Sequence, residues 1–338
     1  MRASRLSRWA SFPILLLLLA CVSSAPAVAD DASDSASLPT YRSTVSEVRV
    51  TFFATDENNR PLDTLKKSDF VVVDSDRLVR NFRSFARAGT TPLDVVVLVD
   101  LSESVAPRWR ATVSDVLQLV AQEQSFPNDD ISVLCFGGSF VGKYGKTSGD
   151  MRPAVLCAIV CPTSDLEARL QTARSGGITP LFDALLFAND FIASHRRANH
   201  RREGIRPVLI LFSDGNDTVS LHSERDARQA ARDAGALIYA VDIGASGKRA
   251  PIQTAGNVFL RQVSDATGGR YFSPRFSVND GTASMLNTVL EDLRASYVVT
   301  YDLPNHEAGF HSIRLCPTHN LNLTFHSRDG YNYEPGGR

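Results

Sequence analysis

The sequence predicts an α/β fold: a doubly wound, mostly parallel sheet with helices on both faces, joined to a small antiparallel β domain built from the N- and C-terminal segments. Three observations carry this. Residues 95–99, 131–136, 208–212 and 237–241 are continuous apolar runs, as strands covered on both faces require. Helical patterns separate these runs, and that alternation is the mark of a parallel sheet. On either side of this region the pattern shifts to short alternating strands punctuated by turn residues.

The first alternating stretch, residues 45–54, sets Val48, Val50 and Phe52 against Glu47, Arg49 and Thr51, as a half-buried strand does. A turn cluster follows from Asp56 to Pro61. Two more strand-like runs, 70–73 and 79–85, flank the turn residues Asp74, Ser75 and Asp76. Residues 40–90 therefore read as one antiparallel unit, too small to stand alone. In the central region Trp109, Val113, Val116, Leu117 and Val120 form one amphipathic helical face. A second helix takes Thr179 as its N-cap and Pro180 in its first turn, then carries Leu181, Leu185, Ala188 and Ile192. A third runs from Ser223 to Ala234 and stops at Gly235. Beyond residue 296 alternation returns, through Tyr297, Val299 and Tyr301, then Ile313 and Leu315, then Leu321, Leu323 and Phe325. An isolated hairpin is marginal in water, so this closing segment is expected to pack with residues 40–90. The expected boundaries are a leader at 1–29, a linker at 30–39, the β unit at 40–90, the α/β domain at 91–290 and the closing β segment at 291–334.

Composition sets limits on function. The 338 residues are 43% apolar and 22% charged with a net charge of −1, which excludes a disordered, collagenous or coiled-coil chain and gives no basic surface for nucleic acid. The first thirty residues read as an export signal. Arg2, Arg5 and Arg8 precede an apolar stretch at 12–20 that is too short to span a bilayer. Two processing readings stand: cleavage after Ala27-Val28-Ala29, which is preferred, and a lipoprotein signal that would acylate Cys21 and give a lipid anchor. The expected localisation is exported, periplasmic or secreted, with a membrane-anchored lipoprotein as the alternative. Beyond Cys21, four thiols (Cys135, Cys157, Cys161 and Cys316) allow three disulfide pairings. Cys157 and Cys161 could share a helical turn, but without companion ligands they make a poor zinc signal. Cys135 and Cys316 read equally well as small buried hydrophobes.

Ligands of such a sheet sit at the carboxyl ends of its strands, so the polar residues there are the place to look. The first apolar run ends in Asp100-Leu101-Ser102-Glu103-Ser104 and the third in Ser213-Asp214-Gly215. Gly176-Gly177-Ile178-Thr179-Pro180 puts a hydroxyl at a loop-to-helix junction. Asp100, Ser102, Ser104, Thr179 and Asp214 offer oxygen alone, the donor set of a hard divalent cation such as Mg²⁺, with Mn²⁺ or Ca²⁺ as alternatives.

At these residues the chain resembles the von Willebrand factor type A domain and its metal-ion-dependent adhesion site. The resemblance rests on DxSxS at Asp100, Ser102 and Ser104, the threonine of GGITP at Thr179 and the aspartate of FSDG at Asp214, in that order over residues 92–272. Residues 259–272 and 291–301, with the leading β unit, also resemble an exported bacterial subgroup of that family. The resemblance implies a non-enzymatic adhesion module in which a partner protein's acidic side chain completes the metal's coordination. Glu103 departs from the pattern, since the family usually has a small or neutral residue there. With Asp100, Glu103 and Asp214 ionised, the site carries −3 against the ion's +2, so an acidic partner meets less attraction. Glu103 reads as a solvent-facing residue, or else as an internal stand-in for the partner carboxylate.

Other chemistries have weaker support. Gly137-Gly138-Ser139-Phe140-Val141 fails as a nucleophile elbow at its last position, and neither a zinc-protease helix nor a phosphate-binding loop is present. His306, Glu307 and His311 read as a solvated turn, and the basic stretch from His195 to Arg206 as a solvated helix end and loop. Residues 137–162 read as a long glycine-bearing loop walling the metal face. Two alternatives to adhesion stand: a metal-assisted hydrolase, whose nearest weak base candidates are Lys143 and Lys146, and a module in which the metal only staples loops.

Overall fold

The computed structural model describes residues 47–123, 128–142, 145–148, 152–198, 204–244, 254–273 and 282–335, all in one unit that begins at Val45. The expected leader, the linker and Cys21 lie outside the described residues, as do Lys143 and the stretch 199–203. The chain opens with β1 (Glu47–Thr55), β2 (Phe70–Asp74), β3 (Arg77–Val79) and β4 (Ser84–Arg87). Strands and helices then alternate: β5 (Leu93–Asp100), α1 (Trp109–Glu123), β6 (Asp130–Phe136), β7 (Gly138–Gly142), β8 (Gly145–Ser148), β9 (Ala154–Cys157), α2 (Thr163–Gln171), β10 (Ala173–Ser175), α3 (Leu181–Ala198) and β11 (Arg206–Ser213). These are followed by α4 (Glu224–Ala234), β12 (Leu237–Asp242), α5 (Ala255–Thr267), β13 (Tyr271–Phe272) and α6 (Thr282–Arg294). The chain closes with β14 (Tyr297–Asp302), β15 (Gly309–Pro317), β16 (Thr324–Ser327) and β17 (Gly330–Tyr333).

The central sheet has the order β13-β12-β11-β5-β6-β9 and is parallel except for the edge strand β9. Its apolar runs are explained by what lies above and below. Val95, Val97 and Val99 join Leu119 of α1, Leu166 of α2 and Leu293 of α6 in one core. Val96 and Leu98, pointing the other way, join Leu185 of α3, Ala231 of α4 and Phe259 of α5 in a second. Each fully buried Val or Leu contributes about 1.5–3 kcal/mol, and that burial holds the strand ends rigidly beneath the site. Caps fix the helices: Ser223 and Asp226 form a capping box on α4, which ends at left-handed Gly235, and Thr254 and Asn257 do the same for α5. The second predicted helix starts one residue later than expected, at Leu181 rather than Pro180. Ala184 N–H donates to Pro180 O, so Thr179 stands outside the helix in the loop.

The outer segments form two four-stranded antiparallel sheets, β16-β1-β14-β4 and β17-β15-β2-β3, around a shared core that includes Val50, Phe52, Phe70, Val72, Tyr297 and Ile313. Residues 40–90 are therefore not one sheet. β1 pairs with β14 and β16, whereas β2 and β3 join β15, because positive φ at Ser75 and Asp76 closes β2 and β3 into a tight hairpin and the chain leaves strand geometry before β4.

Several local expectations are corrected. Much of 137–162 is strand: β7 and β8 form a hairpin that β10 extends, and β9 pairs with β6, since glycines at a tight turn serve a hairpin as well as a loop. Cys157 and Cys161 are disulfide-bonded but not helical, bridging the turn after β9. Leu321 lies in an exposed turn before β16. His311 sits buried in β15 beside Tyr331 and Asp74, while His306 and Glu307 are exposed. Arg206 is 4% exposed at the start of β11, where its guanidinium donates to Ser296 Oγ and Leu293 O; those two acceptors let a cation enter the core. Among the described residues, no helix is long and apolar enough to cross a membrane.

Candidate metal centre

The parallel ladders carry β5, β6 and β11 to a common end, with Asp100 opposite Phe136 and Val99 opposite Phe212, so three loops start from one edge of the sheet. Asp100, the last residue of β5, is fully buried. Its Oδ1 accepts Ser102 N–H at 2.8 Å and its Oδ2 accepts the Ser213 hydroxyl at 2.7 Å. Ser213 Oγ in turn accepts Gly215 N–H at 3.0 Å. These bonds aim the carboxylate and tie the ends of two strands together.

The DxSxS turn continues into a short 3-10 helix, Glu103–Arg108. Ser102 Oγ and Ser104 Oγ lie 3.1 Å apart, the first buried and the second exposed, so the hydroxyl pair leads from the sheet edge to solvent. The loop before α3 is pinned alongside. Gly176 N–H donates to Gly137 O at 2.8 Å, and Gly176 O accepts Glu103 N–H at 2.9 Å. Gly137 has φ +72°, and a Cβ there would meet Ile178 O at 3.1 Å, Ser102 N at 3.2 Å and Asp100 Oδ1 at 3.4 Å. Only a glycine lets the Thr179 loop come this close to Asp100.

Thr179 is 5% exposed and exchanges two bonds with Thr218, its N–H to Thr218 Oγ1 and its O from Thr218 N–H. Asp214 is also 5% exposed, and its Oδ1 accepts Asn216 N–H at 3.0 Å. Gly215, at φ +80°, leaves room for the backbone of Gly256 at the start of α5. Two further carboxylates fasten this loop to α3: Asp217 accepts Phe182 N–H, and Asp183 accepts the N–H groups of Leu221 and His222.

Burial pushes the Asp100 carboxyl up to about 6; the Ser102 N–H and the Ser213 hydroxyl oppose this, and the charge of Asp214 adds to it. Glu103 is exposed, and its backbone rather than its side chain takes part in the turn. Among the described residues, no three His, Cys, Asp or Glu side chains gather to hold a metal. The candidate residues Asp100, Ser102, Ser104, Thr179 and Asp214 lie on loops that Ser213, Gly176 and Thr218 tie to one another, and as a set they offer two carboxylates and three hydroxyls. That hard, all-oxygen donor set fits a divalent cation such as Mg²⁺, Mn²⁺ or Ca²⁺ and suits a soft, thiolate-seeking one poorly.

The family model for the von Willebrand factor type A domain matches residues 94–283, more than half of the chain. The chain belongs to the von Willebrand factor type A family. No curated protein matches it. Among solved structures, the type A chain is similar to proximal thread matrix protein 1 of the mussel byssus with a zinc-occupied MIDAS motif, at 14% identity over 65% of this chain and 50% of that one, TM-score 0.43. It is similar to the manganese-loaded TRAP protein of Plasmodium vivax, at 16% identity over 77% of this chain and 98% of that one, TM-score 0.42. The pilus adhesin SpaC of Lactobacillus rhamnosus GG, in its open conformation, is similar at 11% identity over 85% of this chain and 47% of that one, TM-score 0.44. The chain spans about half the length of the mussel byssus protein.

Four residues that position the candidate site escape motif reading. Ser213 stands directly before the motif aspartate, Gly137 lies in the segment that fails as a nucleophile elbow, and Thr218 and Asp217 follow a loop with no periodicity. The signal for Gly137 was its position, since a glycine pair directly after an apolar run marks a strand end where backbones come close.

Proposed function

We propose that this type A protein is an exported, non-enzymatic binding module in which Asp100, Ser102, Ser104, Thr179 and Asp214 hold a divalent cation, Mg²⁺ in preference to Mn²⁺ or Ca²⁺, that recruits an acidic side chain of a partner protein. The observation that carries the reading is the placement of two nearly inaccessible carboxylates, Asp100 and Asp214, close enough for the charge of Asp214 to act on Asp100 and without an ion pair among the described residues. Uncompensated buried carboxylates are costly, and a cation removes the cost. When bound, the ion supplies charge and a coordination position that a carboxylate completes. Ser104, at the exposed end of the hydroxyl pair, marks the side from which a partner approaches. The Ser102 and Ser104 hydroxyls face each other rather than a general base, which favours binding over hydrolysis. The Cys157–Cys161 disulfide and the leader with Arg2, Arg5 and Arg8 support export.

Calorimetric titration with Mg²⁺ and Mn²⁺, followed by partner capture with Mg²⁺ and with EDTA, tests the proposal. Asp100→Ala and Asp214→Ala are expected to lose both metal binding and capture while unfolding cooperatively. Undiminished metal-dependent capture by a folded double variant would overturn it.

A further inference from the structure

The 13 residues of helix α5 span about 20 Å, between the Asp214 loop and the turn that links β16 to β17. At its first turn glycine meets glycine. A Cβ on Gly256 would lie 2.4 Å from Asp214 O, and one on Gly215 would lie 2.1 Å from Gly256 O. Neither position has space for a methyl group, so the backbone around Asp214 rests directly on the helix. Less than a turn further along, the Phe259 ring meets the Phe182 ring edge-on, with centroids 5.0 Å apart. Phe182 is three residues past Thr179, so α5 touches the chain beside two of the loops that carry candidate ligands.

The far end is built the same way. Gly268, the left-handed C-cap of α5 at φ +84°, would place a Cβ 2.5 Å from Ser327 C and 2.8 Å from Arg328 N. Asp329 N–H donates to Ala266 O at 3.0 Å, and Arg232 of α4 holds the Asp329 carboxylate through bonds of 2.9 and 2.7 Å. Between the two ends Leu260 and Val263 are fully buried in the core against the central sheet. Flexible side chains absorb a displacement by changing rotamer, whereas close-packed main chain passes it on.

We infer that α5 is a positioning strut for the metal centre, with Gly256 and Gly268 as positioning residues, so that cation affinity depends on how the β sandwich docks at the opposite end of the helix. The inference rests on the cation reading of Asp100 and Asp214. A shift of α5 along its axis carries Gly256 against Asp214 O and Phe259 against Phe182, and so moves the Asp214 and Thr179 loops together. Linkage makes the dependence reciprocal: a cation that fixes the Asp214 loop also steadies the helix end to which Asp329 N–H is bonded.

The test uses the full protein, with Mn²⁺ as the titrant and chemical denaturation in EDTA as a separate measure of stability. Gly256→Ala is expected to bind Mn²⁺ about tenfold more weakly, although alanine favours a helix more than glycine does. Gly268→Ala is expected to weaken Mn²⁺ binding about threefold from the far end of the helix. Gly235→Ala is the control: it puts alanine at the same kind of left-handed C-cap, on α4, where the added Cβ meets nothing within 4 Å. That variant is expected to lose stability and keep wild-type Mn²⁺ affinity. In the wild type, saturating Mg²⁺ is expected to slow hydrogen exchange at Asp329 N–H. Wild-type affinity in Gly256→Ala or Gly268→Ala, a loss in Gly235→Ala as large as in Gly268→Ala, or exchange at Asp329 indifferent to Mg²⁺ would each overturn the strut and leave the cation reading standing. A wild type that binds no Mn²⁺ would instead overturn the cation reading, and the strut with it.

Discussion

The Ser213 hydroxyl donates to Asp100 Oδ2 across 2.7 Å, so the last residue of β11 orients the last residue of β5. Both are fully buried. Ser213→Ala removes this bond and also strips Gly215 N–H of its acceptor. The variant is expected to lose about 1–2 kcal/mol of stability in urea unfolding and several-fold in Mn²⁺ affinity, because Asp100 keeps its charge but not its aim. Equal Mn²⁺ affinity in a measurably less stable variant would show that Ser213 serves packing alone.

Gly137 is the second positioning element. An alanine there would hold a positive φ of +72° and set a methyl group 3.1 Å from Ile178 O and 3.2 Å from Ser102 N. The left-handed conformation alone costs about 1–2 kcal/mol. Relief by displacing the 176–180 loop would draw Thr179 away from Asp100. Gly137→Ala is thus expected to be less stable by at least that amount and to bind Mg²⁺ more weakly, while Gly177→Ala, whose added Cβ meets nothing within 4 Å, leaves both unchanged. Parallel thermal melts and metal titrations of the two variants check the contrast.

The legible parts of this protein are those where one physical requirement dominates the residue choice. A strand buried on both faces must be apolar throughout, so β5, β6, β11 and β12 could be read directly, and a helix stop needs a left-handed residue, so Gly235 was found. Asp100, Ser102 and Ser104 stand at fixed spacing after such a strand. Burial of Arg206 and His311 was not legible, because their acceptors, Leu293 O for one and Asp74 with Tyr331 for the other, come from residues distant in sequence. The division of residues 47–87 between two sheets was hidden for the same reason: strands as short as β3 and β4 state their pattern but not their partner.

The disulfide gives a third prediction. Cys157 and Cys161 are four residues apart, and so small a loop yields only about 2 kcal/mol by chain entropy. It also clamps Ile159, a β-branched residue at φ +69°, whose N–H and O bond Ser132 Oγ and Ile131 N–H on β6. Reduction is expected to lower stability by that amount and to loosen the β9 edge without unfolding the chain. In native, unreduced protein cut after Ala29, iodoacetamide should modify Cys316, which is partly accessible, and spare Cys135, which is fully buried and whose thiol burial pushes further from ionising. Mass spectrometry showing modified Cys157 or Cys161 before reduction would contradict the bridge.

Two buried groups set opposing pH responses. Glu123, at the end of α1, is 1% exposed; burial pushes its carboxyl up to about 7, Asp129 adds to the effect, and Arg294 opposes it. A carboxyl whose folded pKa is raised favours the native state fully below its unfolded value near 4.5, and that contribution is lost as pH rises through about 7. His326 behaves in the other sense. Stacked on Phe53 at 4.5 Å, it is lowered to about 4 by burial and by Arg270, so the unfolded chain binds the extra proton between pH 4 and 6.5, and stability falls as pH drops through that window. Glu123→Gln is expected to gain about 2 kcal/mol at pH 8 and nothing at pH 4, whereas His326→Phe flattens the acid limb between pH 6.5 and 4 and leaves pH 8 unchanged. Chemical denaturation of the two variants across pH 4 to 8 separates the limbs. A Glu123→Gln profile parallel to wild type would mean that Arg294 keeps Glu123 ionised throughout, at 3.9 Å.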